Sequence, residues 1–361
     1  MNKRTFLLAL ASLTAWRIHA AEPVTFAPVR PGRPLSFPFD HGAHPDFRTE
    51  WWYATGWLAL PDGQPLGFQS TFFRVRSGIG EQNPSTFAPR QLILAHAALA
   101  DPRLGRLRHD QRSARVGLGR AGFEIGKPDK TGVWIDDWRF EQHDDHYRAT
   151  VKSEDFAYAL SLAPDGPPLL NGKAGFSAKA PDPRHASYYY SRPQLKASGT
   201  VTLDGRTQAV SGHAWLDHEW SSELLPAGAQ GWDWIGINFN DGSVLMAFRL
   251  RSKETPPLWS AATFRQAGGQ AQTLTPDAVS FEPLRQWRSL RTGISYPVEW
   301  RIRIGARLFE LSPLFDDQEL DSRRSTGAVY WEGAVRLKED GKEIGRGYLE
   351  MTGYGEQIRV G

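Results

Sequence analysis

The chain of 361 residues has no cysteine, and that one absence removes several chemistries together. Disulfides, thiolate zinc sites, cysteine nucleophiles and a lipid-modified N-terminal cysteine are all excluded. Beyond the first residues, no apolar run approaches the roughly 18 residues that a membrane-spanning helix needs. Sustained apolar stripes at i, i+3 and i+4 are scarce, which argues against a helical protein. An excess of charge of one sign is missing too. Lys and Arg number 43 against 40 Asp and Glu. The first 21 residues read as an export signal, with Asn2, Lys3 and Arg4 before an apolar stretch from Thr5 to Ala15 and a small-residue cleavage site at Ala20-Ala21. Loss of Lys3, Arg4 and Arg17 with that signal brings the cations to 40, equal to the acids. The sequence pI near 9.0 is therefore no footprint of nucleic-acid binding. What remains is a periplasmic or secreted protein with no membrane span and no disulfides. It must hold itself together by burial alone, and 361 residues at 40% hydrophobic content suffice for that.

The familiar catalytic signatures are absent as well. No G-x-S-x-G elbow, Walker loop or H-E-x-x-H occurs in the chain. Gly117-Leu-Gly119-Arg-Ala-Gly122 spells the dinucleotide fingerprint, but it follows no apolar strand and leads into no amphipathic helix, so the helix N-terminus that would hold a pyrophosphate is lacking. His41-x-x-His44 and His143-x-x-His146 have a spacing that metals use, yet both fall in polar, turn-rich segments and read as loop histidines. No metal and no cofactor is implied.

What is present is strand. Trp57 to Leu60, the turn Pro61-Asp62-Gly63 and Phe68 to Val75 form a hairpin pattern, because Asp-Gly tolerates the positive φ that tight hairpins require. Leu92 to Leu99, Gly132 to Glu141, Tyr147 to Ser153 and Ala157 to Leu162 alternate β-branched or aromatic residues with polar ones between turn residues. Short helices are expected only at Pro276 to Phe281 and Arg285 to Leu290. Many short strands with regular turns imply an all-β sandwich or barrel architecture. The pattern also repeats. Gly199 to Asp217, a hairpin around Asp204-Gly205, echoes Gly333 to Glu350 around Asp340-Gly341. Trp57 to Phe68 around Asp62-Gly63 echoes Trp234 to Phe248 around Asp241-Gly242. Two echoes in the same order point to a duplication. The expected division is a signal at 1–21, a Pro-rich leader at 22–36, and two β-domains at 37–225 and 226–361, with the seam near Ser221 to Gly231.

The chemistry concentrates in few stretches. Phe39 to Leu58 packs two histidines, two aspartates and the run Glu50-Trp51-Trp52-Tyr53 into twenty residues, and it places Glu50 and Trp52 at the mouth of an aromatic pocket. Gly212 to Trp220 puts His213, Trp215, Asp217 and Glu219 on one face of an extended strand. An acid on an inward face is costly when ionised. Desolvation there raises its pKa until it can donate a proton near neutrality. Tyr188 and Tyr190 share a face of the strand before it, with Tyr189 on the other. Glu332, Tyr348 and Glu350 repeat the pairing of aromatics with acids in the second half.

Taken in order, EWWYATGWL, YYYSRPQL, GHAWLDHEW, YWEGAV and GYLEMTGY resemble the AttH/CrtC family, lipocalin-like proteins that include carotenoid 1,2-hydratases and exported proteins labelled predicted secreted hydrolases. The resemblance covers Phe37 to Tyr354. It implies two tandem lipocalin-like (calycin) antiparallel β-barrels packed together. It also implies addition of water across an isoprenoid double bond without a cofactor. The family's proton donor falls on Asp217, with Trp215 where a Tyr is expected, and His213, Tyr188 and Tyr190 fall on cavity positions. The resulting expectation is a hydrophobic, isoprenoid or lipid-like substrate in an aromatic-lined cavity, protonated by Asp217 with help from Glu219, Glu50 and Tyr190, and contacted by Trp52, Tyr188, His213, Trp215, Glu332, Tyr348 and Glu350. The alternatives are a non-catalytic carrier working with an ABC-type transporter, which the likeness to AttH suggests, and a secreted hydrolase.

Overall fold

The computed structural model describes residues 24–125, 129–253 and 256–357, so the export signal expected at 1–21 lies outside the described residues. Thirteen strands form the first antiparallel sheet: β1 (Thr49–Ala59), β2 (Pro65–Arg76), β3 (Gln91–Asp101), β4 (Arg106–Arg115), β5 (Ala121–Phe123), β6 (Gly132–Ile135), β7 (Trp138–His143), β8 (His146–Lys152), β9 (Phe156–Ala163), β10 (Leu169–Leu170), β11 (Phe176–Ala178), β12 (Ala186–Leu203) and β13 (Arg206–Ser221). Ten form the second: β14 (Gly231–Phe239), β15 (Val244–Arg251), β16 (Trp259–Arg265), β17 (Ala271–Leu274), β18 (Val279–Arg288), β19 (Ser295–Ile304), β20 (Arg307–Pro313), β21 (Glu319–Asp321), β22 (Val329–Glu339) and β23 (Lys342–Met351).

Both sheets have the same order. In the first, β1 is flanked by β2 and by the last strand, β13; in the second, β14 is flanked by β15 and by the last strand, β23. Turn chemistry sets the registers. Asp204-Gly205 and Asp340-Gly341 have positive φ at both residues, the backbone whose twist matches a two-residue hairpin. The first sheet curls until its edges meet, where Arg112 of β4 lies 4.4 Å from the ring centroid of Trp138 in β7. Apolar side chains of every long strand fill its interior, among them Trp52, Phe68, Trp138 and Leu160. Burying each contributes about 1.5–3 kcal/mol.

Two short helices were expected, and the described residues hold neither. Pro276–Ala278 is a single 3₁₀ turn, and Arg285 lies inside β18. Pairing with β19 supplies the backbone partners there, which an exposed helix of that length would lack.

The sheets pack on each other through Tyr53, Trp57, Tyr189, Trp215, Trp234, Phe248 and Tyr348. Trp57 Nε1 donates to the Gly347 carbonyl at 2.9 Å and Asn238 Nδ2 to the Ala214 carbonyl at 3.1 Å. Contact is closest at Gly67. A Cβ there would lie 2.5 Å from the Tyr348 hydroxyl and 2.9 Å from Ala334 Cβ, so only glycine lets β2 approach β22 and β23.

Candidate functional site

The register of β1, β12 and β13 assigns each side chain to one of two faces. Across β1 and β13, Trp51 pairs with Glu219, Tyr53 with Asp217 and Thr55 with Trp215; across β12 and β13, Tyr189 pairs with Glu219 and Ser191 with Asp217. Directly opposed residues share a face, so these form one surface, and it is turned toward the second sheet. Glu50, Trp52, Tyr188, Tyr190, His218 and Trp220 alternate with them and point the other way.

Between the sheets lies a cavity of about 1050 Å³. Six acids line it: Glu50 from β1, Asp217 and Glu219 from β13, Glu332 from β22, Glu350 from β23 and Glu356 from the segment after β23. Asp217 is 3% exposed. Its Oδ1 accepts from Ser191 Oγ at 2.5 Å and Trp215 Nε1 at 2.6 Å, and its Oδ2 from the Tyr189 hydroxyl at 2.6 Å. Burial raises this carboxyl to about 7 even though the three donors favour the charged form. Tyr189 is itself positioned by Trp234 Nε1 at 3.0 Å, and Ser191 by Asn171 Nδ2 at 2.7 Å. Glu219 pairs with Lys179 Nζ at 2.9 Å and accepts from Ser187 Oγ.

The second sheet contributes an acid pair. Glu332 stands directly opposite Glu350. Burial and then the Glu350 charge hold Glu332 well above the usual carboxyl range, and burial pushes Glu350 up to about 7. Gln69 Nε2 donates to Glu332 Oε2 at 2.8 Å, and Trp232 Nε1 to Glu350 Oε2 at 2.8 Å. Glu332 Oε1 and the Tyr53 hydroxyl make no hydrogen bond of ordinary geometry within the protein, yet they stand close enough to interact as hydrogen-bond partners of one another, which favours the charged Glu332 and raises Tyr53. His96, also on the wall, joins the Tyr330 hydroxyl at 2.7 Å to Ser325 Oγ at 2.8 Å. Burial drives it down to about 3, so it is a neutral hydrogen-bonding bridge.

Of the residues expected from sequence, the structure brings Glu50, Asp217, Glu219, Glu332 and Glu350 to the cavity lining, with Trp215 behind Asp217. Four residues, Glu50 among them, have the opposite parity on their strands and are bound to other partners than Asp217. Glu50 is fully buried among Arg74, His44 and His218, with contacts of 2.8, 2.8 and 2.9 Å. Tyr190 lies between His41 and His218, Trp52 stacks on His218, and Tyr188 bonds the leader backbone at Arg30. The physical reason is the two-residue period: each is an odd number of positions from a cavity-facing neighbour. His213 shares the Asp217 face but is exposed and is not among the cavity-lining residues. Tyr348 is buried at the Gly67 contact rather than on the wall.

Sequence reasoning missed Tyr53, Tyr189, His96, Lys179 and Trp234 as cavity groups. For Tyr53 and Tyr189 the signal was alternation itself, and for His96 a lone imidazole in the apolar run Leu92 to Leu99. Lys179 lies on no periodic element and gave none.

His44, Glu50 and His218 also place one ligand atom each within 4.8 Å of one another, a spacing a metal ion could span. The donor set does not fit one. Glu50 Oε1 already accepts from both imidazoles and Oε2 from Arg74 Nε, and a guanidinium at that distance repels a second cation.

Residues 28–354 match the AttH-like family. The crystal structure of a protein assigned to AttH from Nitrosomonas europaea is similar at a TM-score of 0.85 and 51% identity, covering 91% of this chain and 100% of that one. Kievitone hydratase from Nectria haematococca is similar at a TM-score of 0.66 and 16% identity over 93% of this chain and 98% of its own. CghA follows at 0.56 and 16% over 95% and 97%. At such identity the last two share the fold alone. A comparison with curated proteins finds no match.

Proposed function

We propose, because this chain belongs to the AttH-like family, that it is an exported lipocalin-like protein that takes a hydrophobic, isoprenoid or lipid-like substrate between its sheets and hydrates a carbon–carbon double bond by acid catalysis. The observation that carries this is the Asp217 carboxyl on the cavity wall, with an affinity for its proton that lies near neutrality. The Asp217 proton adds to one alkene carbon and the π pair forms the new C–H bond. The other carbon becomes a cation, which the faces of neighbouring aromatic rings stabilise through their quadrupoles. A water lone pair then forms the C–O bond, and the proton that water sheds restores the Asp217 acid. Tyr189, Ser191 and Trp215 hold the carboxylate in place between the two proton transfers. The hydratase among the structural neighbours is a precedent for this reaction class on the fold, while a shared fold alone does not assign it.

The test is incubation of terminal-alkene isoprenoids with the protein in H₂¹⁸O, with the labelled alcohol read by mass spectrometry. Wild type forms it and Asp217→Asn does not. Full turnover by Asp217→Asn sinks the mechanism.

A second reading, a carrier handing a lipophilic ligand to an ABC-type transporter, is favoured by the Tyr53 hydroxyl and Glu332 Oε1, which make no hydrogen bond of ordinary geometry and suit binding without chemistry. A carrier returns its ligand unchanged, which the same spectra decide. The hydrolase alternative lacks such support. Ser187 and Ser191 donate to Glu219 and Asp217, not to an imidazole base.

A further inference from the structure

The cavity acids are not balanced by the cations around them. Lys179 is taken by Glu219. Arg291 and Arg323, at the cavity edge, are taken by Asp317 at 2.6 Å and Asp321 at 2.5 Å. Glu332 and Glu350 face each other across β22 and β23, and their hydrogen-bond donors, Gln69 and Trp232, are both neutral. Among the described residues neither acid has a cationic partner. Two buried polar atoms there, Glu332 Oε1 and the Tyr53 hydroxyl, have no hydrogen bond of ordinary geometry and only each other as neighbouring partners. Trp232, Trp234 and Tyr330 supply aromatic surface on the same wall.

We propose that Glu332, Glu350 and Tyr53 form a subsite for an organic cation, an ammonium or alkylated amine group carried on a hydrophobic body. Such a group supplies the missing charge, gives Glu332 Oε1 a partner and lies against ring faces whose quadrupoles attract it. A neutral alcohol uses the Tyr53 hydroxyl but leaves the acid pair without a counter-charge. A carboxylate meets like charge as soon as either acid ionises.

The groups facing the pair are Glu219 with Lys179 behind it and the hydroxyls of Tyr53, Tyr330 and Tyr348. None of the tyrosines ionises near neutrality, since burial raises them all. Glu350, at about 7, is therefore the group whose ionisation a bound cation draws down, and binding tightens as pH rises through that value. The subsite rests on the same cavity as the hydration proposal and names the polar end of its ligand, but it does not depend on catalysis by Asp217.

The experiment is calorimetric titration of the purified protein with decyltrimethylammonium, decyl maltoside and decanoate below their micelle concentrations, at pH 6 and pH 8. The ammonium binds at least tenfold tighter than the other two, and more tightly at pH 8 than at pH 6. Substituting Glu332→Gln and Glu350→Gln together abolishes the preference. Equal affinities, a preference for decanoate, or a preference that survives both substitutions overturns the proposal, and the wild-type comparison decides by itself if the double variant does not fold. Cation selectivity without turnover of any alkene keeps the subsite and removes the hydration proposal. Hydration without cation selectivity does the reverse.

Discussion

The two faces of β1 and β13 bury carboxyls equally well and treat them in opposite ways. Glu50 on one face is 0% exposed and Asp217 on the other 3%. Burial would raise the Glu50 carboxyl, but Arg74 and His44 outweigh it and hold the group well below the usual range. The network continues on both sides, from Arg33 through Asp40 to His44, and from Glu50 through His218 and Tyr190 to His41. Burial would lower His44 as well, yet Glu50 and Asp40 raise it, so it is the cation between two anions. His218, lowered by burial, is neutral. Its Nε2 must donate to Glu50, so its Nδ1 accepts from the Tyr190 hydroxyl and His41 Nδ1 donates to that oxygen. The segment around residues 33–44 is fixed to the barrel by this chain of contacts. Asp217 has hydrogen bonds but no cation, and its carboxyl rises. Pairing, not depth, separates the depressed carboxyl from the raised one.

The same chemical change made on each face exposes this difference. Asp217→Asn keeps the shape and one acceptor oxygen and removes the acid; turnover should fall 10²- to 10⁴-fold, the usual contribution of a positioned acid, with a cooperative urea transition retained. Glu50→Gln should do the opposite. It leaves the Arg74 charge buried without its anion, a loss of about 3–5 kcal/mol in urea denaturation. If Glu50→Gln abolished hydration in protein that remained folded, the division between the faces would be wrong.

Acidity separates the faces more gradually. Asp217 has a folded-state pKa raised to about 7, so its stabilising share is largest at low pH and declines as pH climbs from its ordinary value toward 7. Its protonated fraction falls tenfold per unit above that value, so under the proposed acid catalysis kcat/KM should follow with a slope of −1. The Glu50 face behaves in the reverse sense. Its depressed carboxyl stabilises above the unfolded pKa and loses that share as pH falls through the folded one. His41, driven down to about 4 by burial and then by Arg192, favours the unfolded chain as pH falls from 6.5 toward 4. Denaturation followed from pH 4.5 downward, below the ordinary glutamate value, should show a loss on acidification that Tyr53→Phe leaves in place and Glu50→Gln diminishes.

Much of the fold was legible because its signals are local. The hairpins around Asp62-Gly63, Asp204-Gly205, Asp241-Gly242 and Asp340-Gly341 follow from turn residues and alternation, and the likeness to a two-barrel family followed from ordered motifs. The site was legible only by parity. Alternation correctly divided Tyr188 and Tyr190 from Tyr189, and Trp51 and Tyr53 from Glu50 and Trp52, but it could not tell which set faces the second sheet. That depends on packing between β1–β13 and β14–β23, whose contacts are hundreds of residues apart in sequence, such as Trp57 with Gly347. Tyr190 and Glu50 fall in the set that does not share the Asp217 face, and both are bound to His218 there. His213 differs: its parity is that of Asp217, but its side chain is exposed.

The smallest effect sharpens the comparison furthest, because it concerns one hydroxyl on each face. Tyr190→Phe removes the oxygen that lies 3.0 Å from His41 Nδ1 and 3.1 Å from His218 Nδ1. Both imidazoles lose a buried partner, at a cost of about 1–3 kcal/mol. Tyr53→Phe removes a buried hydroxyl that makes no hydrogen bond of ordinary geometry in the protein, so it should leave the empty protein as stable as before or more stable by about 1 kcal/mol. Its cost should be felt in ligand affinity. Parallel urea denaturation of the two variants measures this directly. Equal destabilisation would mean that the Tyr53 hydroxyl is already satisfied, and a satisfied hydroxyl has nothing left to offer a ligand.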